Sequence, residues 1–275
     1  MTKIIDCIPF YQNNTLFEIR IKTLENIVDC FIVCEATKTH NGEDKKLNFQ
    51  LEKFLKITNK IKYIVIDDMP DKFSTEYKKF PLYNFQVDKL LDAIKDFDND
   101  DIIIFSDEDE IPRPEKINLF DSSKFKYGIF LQNLYYYRLN ILNTTEYNGT
   151  RWPGSRISKK KNINSFSQFR ALKTKNAYPS FWKFWKETSI QLIENGGWHF
   201  SYLMSNQNIA KKINDSEHQE FNKKEFKSTI EIANRIKNLI DPFERGYILK
   251  KVNIDNTYPK EIFNNLERYN QWILE

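Results

Sequence analysis

Four short apolar runs recur between Ile4 and Phe105, and stretches with helical spacing separate them. IIDCIPF (4–10), CFIVCE (30–35), IKYIVIDD (61–68) and IIIF (102–105) read as strands, the second of them buried and the last buried on both faces. Thr15-x-x-Glu18 has the form of a capping box, opening a helix that carries Leu16, Ile19, Leu24 and Ile27. Residues 44–57 place Leu47, Leu51, Phe54 and Leu55 at helical spacing. Residues 82–97 do the same with Leu82, Phe85, Leu90, Leu91, Ile94 and Phe97. This alternation predicts an α/β fold with a mostly parallel, doubly wound sheet and flanking helices. Such sheets bind ligands beyond the carboxyl ends of their strands, a rim that here collects Pro9, Glu35, Asp67 and the acids after Phe105.

From Gly128 onward the pattern turns aromatic, in GIFLQNLYYYRLN (128–140), RWPGSR (151–156), FWKFW (181–185) and GGWHFSY (196–202). Most such rings fill cores, but Trp152, Trp182 and Trp185 also suit stacking on flat sugar faces. Ser228-x-x-Glu231 can cap a helix with Ile232, Ile236, Leu239 and Ile240 on one side. Pro259 can open a last helix with Ile262, Phe263, Leu266, Tyr269 and Ile273. The expected organisation is one α/β domain over 1–222, in halves 1–115 and 116–222, with 223–275 as a helical extension packed on it.

The composition narrows the class. With 275 residues, 40% hydrophobic and 15% aromatic, the chain can bury a sizeable core, and 29% charged residues point to a soluble protein. A net charge of +4 without a clustered basic stripe argues against a nucleic-acid binder, and Ser158-Lys159-Lys160-Lys161 reads as a solvated loop. No signal-peptide pattern and no apolar run long enough to cross a bilayer is present. Cys7, Cys30 and Cys34 are odd in number and lie in strand-like runs, which reads as reduced core thiols in a cytoplasmic protein.

Candidate chemistry concentrates where IIIF runs into Ser106 and then Asp107, Glu108, Asp109 and Glu110, with Pro112 and Pro114 stopping further pairing. Four adjacent like charges need water or a cation to be tolerated. Asp107-x-Asp109 at a strand end suits a hard divalent cation, Mn²⁺ or Mg²⁺, which can clamp a diphosphate; a solvated acidic turn is the plainer alternative. An EF-hand is excluded, since the loop lacks its glycine and spaced ligands. In GGWHFSY the paired glycines permit close backbone approach, and His199 beside them can reach a metal or a phosphate, or be a satisfied structural residue. His218, in DSEHQEFN, is a second such histidine.

The ordered set IIDCIPFYQNNTLFEIRIKTLENIVDCFIVCEATKTHNGEDKKL, DDIIIFSDEDEIPRP, GGWHFSYL and SEHQEFN resembles glycosyltransferase family 17, the β-1,4-mannosyl-glycoprotein β-1,4-N-acetylglucosaminyltransferases, from about Lys3 to Asn222. The resemblance implies a GT-A (Rossmann-like) fold, a UDP-sugar donor (UDP-GlcNAc), a divalent cation and inversion at the anomeric carbon. Residues 1–115 would then form the nucleotide-sugar and metal half, and 116–222 the acceptor half. Asp107 and Asp109 match the metal-binding Asp-x-Asp, and His199 the Gly-Trp-His element. Pro9 and Phe10 match the loop after the first strand, and Glu35, Thr39, Gly42 and Lys46 match a second stretch. Donor contacts are thus expected from Pro9, Phe10, Glu35, Thr39, Lys46 and Glu108. Acceptor contacts are expected from Trp152, Arg156, Trp198 and Glu110. Glu194, Glu187 and His218 are rival bases for the acceptor hydroxyl. Gln12-Asn13-Asn14-Thr15 and Val87 depart from the family pattern. The implied partners are the UDP-sugar and an oligosaccharide or glycoconjugate acceptor; unlike the membrane-anchored animal members, this sequence shows no transmembrane anchor, and it is expected to act in the cytoplasm of a microbial cell or a virus-infected host without a nucleic-acid partner. Two other classes stand beside this one: a metal-dependent nuclease or phosphoesterase using Glu35, Asp67, Asp107 and Asp109, and a catalytically degenerate nucleotide-sugar or glycan binder.

Overall fold

The computed structural model describes residues 2–71, 79–146, 151–178, 189–216 and 218–275. Trp182, Trp185 and Glu187 lie outside the described residues. In chain order, β1 (Ile4–Phe10), α1 (Asn14–Leu24), β2 (Cys30–Ala36), β3 (Ile61–Ile66), α2 (Pro81–Asp88), α3 (Leu90–Ile94) and β4 (Ile102–Phe105) build the first half. Strands β3, β2, β1 and β4 lie side by side and parallel. Side chains alternate across this sheet. Ile5, Cys7, Ile32, Cys34, Ile103 and Phe105 face α2 and α3 through Leu82, Val87 and Leu90. Ile8, Phe10, Phe31, Val33 and Ile104 face α1 through Phe17, Ile21 and Leu24. Cover on both faces is why these strands read as unbroken apolar runs.

The second half extends the same sheet with β5 (Glu110–Pro112), α4 (Pro114–Ile117), β6 (Tyr127–Tyr136), β7 (Ile141–Asn143), β8 (Trp152–Lys159), α5 (Phe166–Arg170), β9 (Ile190–Ser201), α6 (Asn206–Asp215), α7 (Lys224–Lys227), α8 (Thr229–Lys237), β10 (Leu249–Lys251) and α9 (Lys260–Phe263). β8 runs antiparallel between β4 and β6, β9 lies parallel to β6, and β5 pairs antiparallel with β9. The result is a mixed, ten-stranded sheet with flanking helices.

Four expectations change. The cap of α1 is Asn13, whose side chain accepts from Leu16 N and donates to the Leu203 carbonyl, so the helix starts before Thr15. Residues 44–57 are not one helix. Asn48 and Phe49 spend their backbone N–H groups on the buried Glu35 carboxylate, and only a kinked 3-10 stretch, Leu51–Lys60, follows. Leu55 is consequently 75% exposed. The helix over 82–97 is split into α2 and α3 at Lys89. The segment 223–275 is not purely helical: β10 pairs with β7 at the sheet edge, and α9 gives way at Asn265 to a 3-10 stretch, Leu266–Trp272.

Buried pairing ties β1 and α1 to the turn after β4. Arg20 and Asp6, both fully buried, meet at 2.6 and 2.9 Å, and Arg20 Nη1 donates to the Glu110 carbonyl. The thiols of Cys7, Cys30 and Cys34 are free; Cys7 and Cys34 are fully buried, and burial pushes Cys34 up to about 12.

Candidate active site

β4 delivers the acids to the carboxyl rim of the parallel strands. The chain turns as Glu110 N donates to the Asp107 carbonyl, and β5 begins at Glu110, opposite His199 on β9. This turn sends the four carboxylates in different directions. Asp107 accepts from Tyr83 at 2.5 Å and from the Arg170 fork at 2.8 and 3.0 Å. Glu108 turns inward, its Oε2 capping the β1–α1 loop through the N–H groups of Tyr11 and Gln12. Asp109 accepts from Lys212 at 3.0 Å and lies 3.3 Å from His199 Nε2. Glu110 accepts from the Trp152 indole at 2.8 Å. Mutual repulsion is thus relieved by divergence and by one polar partner set per acid.

The electrostatics separate the aspartates from the glutamates. Burial raises the Asp107 carboxyl, but the Arg170 guanidinium and the Tyr83 hydroxyl outweigh it and hold the group below its ordinary range. Burial likewise opposes ionisation of Asp109, and Lys212 with His199 more than offsets it. Glu108 is pushed up by burial, against partial compensation from Lys212. Glu110 is pushed up by burial and by Asp107. The neighbours of the two aspartates thus favour ionisation, whereas burial opposes it at the two glutamates.

Asp109 and His199 fit adjacent positions on one divalent ion. Two neighbouring ligands of an octahedral ion with bonds of about 2.1 Å stand about 3 Å apart, close to the 3.3 Å observed here. A carboxylate–imidazole set suits a first-row divalent metal. Two atoms beside it, Glu108 Oε1 and His199 Nδ1, are buried without a hydrogen-bond partner. Among the described residues no group of three or more such ligands is assembled around one point, and Arg170 and Tyr83 engage both oxygens of Asp107.

The other candidates divide. Trp152 joins the cluster, its ring 4.9 Å from that of His199. Glu35 is fully buried and saturated by Lys45, Tyr63 and the Asn48 and Phe49 N–H groups, so it braces the loop after β2 instead of meeting a ligand. Lys46 is exposed, and its neighbour Lys45 makes the Glu35 contact. Thr39 closes the 39–43 turn. Pro9 and Phe10 are buried, Phe10 within a ring cluster with Phe17 and Phe49, and Tyr11 takes the rim position after β1. Trp198 is core, donating to the Thr257 carbonyl under the Arg113 guanidinium. Arg156 is buried and pushed down to about 9 by burial first and by Arg170 second; it binds the carbonyls of Pro153, Arg170 and Leu172 and so positions the end of α5. Glu194 is exposed on β9, five residues before His199 and within the irregularity where β9 shifts register against β6. His218 is exposed and held by Glu220 and the Phe80 ring.

The glycines play a different part from the one expected of them. A Cβ at Gly197, where φ is +140°, would stand 2.1 Å from the Ile111 carbonyl oxygen, and one at Gly196 would stand 2.7 Å from Phe130 Cβ. They allow β9 to close on β5 and β6, which sets His199 against Asp109. Arg170, Lys212 and Tyr83 were not singled out in the sequence. Lys212 carries a faint signal, lying beside the buried Ile209 and Ile213 of α6, whereas Lys211 is exposed.

The site is thus a carboxylate–imidazole pair at the rim of the parallel strands of a mixed α/β sheet. The family model for glycosyltransferase family 17 matches residues 1–155, more than half of the chain, and the chain belongs to that family. It is 28% identical over 120 residues to the beta-1,4-mannosyl-glycoprotein 4-beta-N-acetylglucosaminyltransferases of Homo sapiens and Rattus norvegicus. Those matches cover 40% of this chain and only 22% of the length of each relative. Among solved structures, the galactosyltransferase LgtC in complex with donor and acceptor sugar analogs overlaps with a TM-score of 0.36 at 13% identity, covering 57% of this chain and 58% of that one. At so partial an overlap the fold is defined by the strand order described above. Among the described residues no helix is long and apolar enough to cross a membrane.

Proposed function

We propose that the chain is a metal-dependent, inverting glycosyltransferase that moves a sugar, GlcNAc in the first instance, from a UDP-sugar to a hydroxyl of an oligosaccharide or glycoconjugate. The observation that carries this reading is the meeting of Asp109 with His199, flanked by Asp107, at the carboxyl end of β4 in a member of glycosyltransferase family 17. Asp109, His199 and Asp107 would hold Mn²⁺ or Mg²⁺. A bound ion of that kind supplies the charge that lets a diphosphate leave. Ionisation of both aspartates, favoured by their neighbours, suits them to that task. Trp152, half-buried and fixed by its bond to Glu110, offers the acceptor sugar a ring face beside the centre. Inversion also needs a carboxylate or imidazole to take the hydroxyl proton within hydrogen-bond reach.

The phosphoesterase reading is the weaker one. It needs two metals about 3.5–4 Å apart sharing carboxylates, but the oxygens of Glu35 are consumed within the fold and Asp67 is exposed at an edge strand. A panel of UDP-sugars incubated with Mn²⁺ tests the proposal. UDP released from one donor, and suppressed by EDTA, is the expected result. Hydrolysis of simple phosphodiesters, with no release or binding of any UDP-sugar, would reverse the order of the two readings.

A further inference from the structure

The two cations of the site are as informative as its acids. Arg170 arrives on α5 and Lys212 on α6, and each holds one aspartate of the pair. Both side chains keep a window to solvent, 27% exposed for Arg170 and 23% for Lys212, whereas Asp109 and His199 are 9% exposed. Lys212 therefore lies outside Asp109, and Arg170 shares the rim with its partner Asp107, itself 25% exposed. Neither is spent on the fold alone. Lys212 sits between Asp109, Glu108 Oε1, which has no hydrogen bond and lies at 3.8 Å, and the Tyr202 ring face at 5.5 Å, so it can turn while remaining in a polar pocket. Arg170 is steadied from its backbone, where Arg156 binds its carbonyl, while its guanidinium is forked onto Asp107 and reaches Glu110 at 4.0 Å.

Charge balance suggests the purpose. Arg170 pairs with Asp107 and Lys212 with Asp109, two cations against two aspartates. A divalent ion and a doubly charged nucleoside diphosphate ester enter with equal and opposite charge. If the ion takes the aspartates, the cations are released, and the ligand's phosphate oxygens are the matching acceptors. We propose, on the basis of the donor reading above, that Lys212 and Arg170 are diphosphate-binding residues that move from Asp109 and Asp107 to the donor phosphates when metal and donor bind together. Without a donor they compete with the ion for the carboxylates, so metal alone binds weakly and metal with nucleotide binds cooperatively.

Titration of wild type, Lys212→Met, Lys212→Arg and Arg170→Met with Mn²⁺ alone, and with UDP at saturating Mn²⁺, tests this exchange. The expected result for Lys212→Met is opposite in sign for the two ligands: Mn²⁺ alone binds about tenfold tighter, because a competing charge is gone, while UDP binds at least about tenfold more weakly. Arg170→Met follows the same pattern, and Lys212→Arg retains UDP binding. Unchanged UDP affinity in both Met variants overturns the exchange and leaves the donor reading intact. A parallel loss of both ligands with a lowered melting temperature overturns it in favour of a structural role. Failure of wild type to bind UDP at all removes the donor reading and the exchange with it.

Discussion

Individual side chains in this molecule separate into those that hold the site up and those that present it. Asp6 and Arg20 belong to the first group: both are fully buried, and Arg20 also binds the Glu110 carbonyl. Arg20→Met leaves Asp6 uncompensated, and urea unfolding is expected to show a loss of about 3–5 kcal/mol. Glu35 belongs there too, although its place at the end of β2 resembles that of a ligand-binding acid. Glu35→Gln is expected to lower the melting temperature while leaving UDP affinity at saturating Mn²⁺ within about twofold, since the amide still accepts some of the same bonds. A selective loss of UDP affinity at unchanged stability would instead make Glu35 a donor contact. The distinction was not legible in the sequence, because a carboxylate saturated by backbone N–H groups 13 and 14 residues away looks the same there as a free one.

Among the elements, the β5–β9 pair governs the site, since its register sets His199 opposite Glu110. Gly197→Ala puts a Cβ against the Ile111 carbonyl in a backbone region reserved for glycine. The expected cost is about 2 kcal/mol or more in thermal or urea unfolding, with weakened Mn²⁺ binding because His199 shifts; an unchanged melting temperature would show that the ladder can relax. β1, β2 and β4 were readable to within a residue or two because both faces are buried, whereas β3, an edge strand with Lys62 and Val65 exposed, was legible from its β-branched residues. The segment over 44–57 was misread because its helical spacing of leucines competes with a tertiary demand, the capping of Glu35, which has no local signature. Register is equally hidden: Asp109 and His199 lie ninety positions apart, and only β9 folding back against β5 makes them neighbours.

For the whole molecule, one sheet runs through both halves and into the last fifty residues, so the site depends on chain that contributes nothing to it directly. β10 completes the edge beside β7, Trp272 and Leu274 bind back to the 139–140 turn, and Tyr258, Ile262 and Tyr269 share a core with Leu16 and Ile19 of α1. Deleting 249–275 is expected to abolish cooperative unfolding and soluble yield, followed by circular dichroism and gel filtration; a truncated chain with a native-like melt would make the C-terminal segment an independent addition. The sequence signalled an acidic rim and a likeness to a family. It could not signal that Arg170 and Lys212 complete that rim, since each is one basic residue among many until α5 and α6 are folded over the cluster.

The most direct measurement is UDP release from UDP-GlcNAc by wild type and Asp109→Asn, with Mn²⁺ and with EDTA, after circular dichroism has matched the two folds. Release by wild type in Mn²⁺ alone, reduced by about a hundredfold or more in the variant and abolished by EDTA, is the result predicted for a metal-held diphosphate at the end of β4. Equal release by the two proteins, or release indifferent to EDTA, would contradict it.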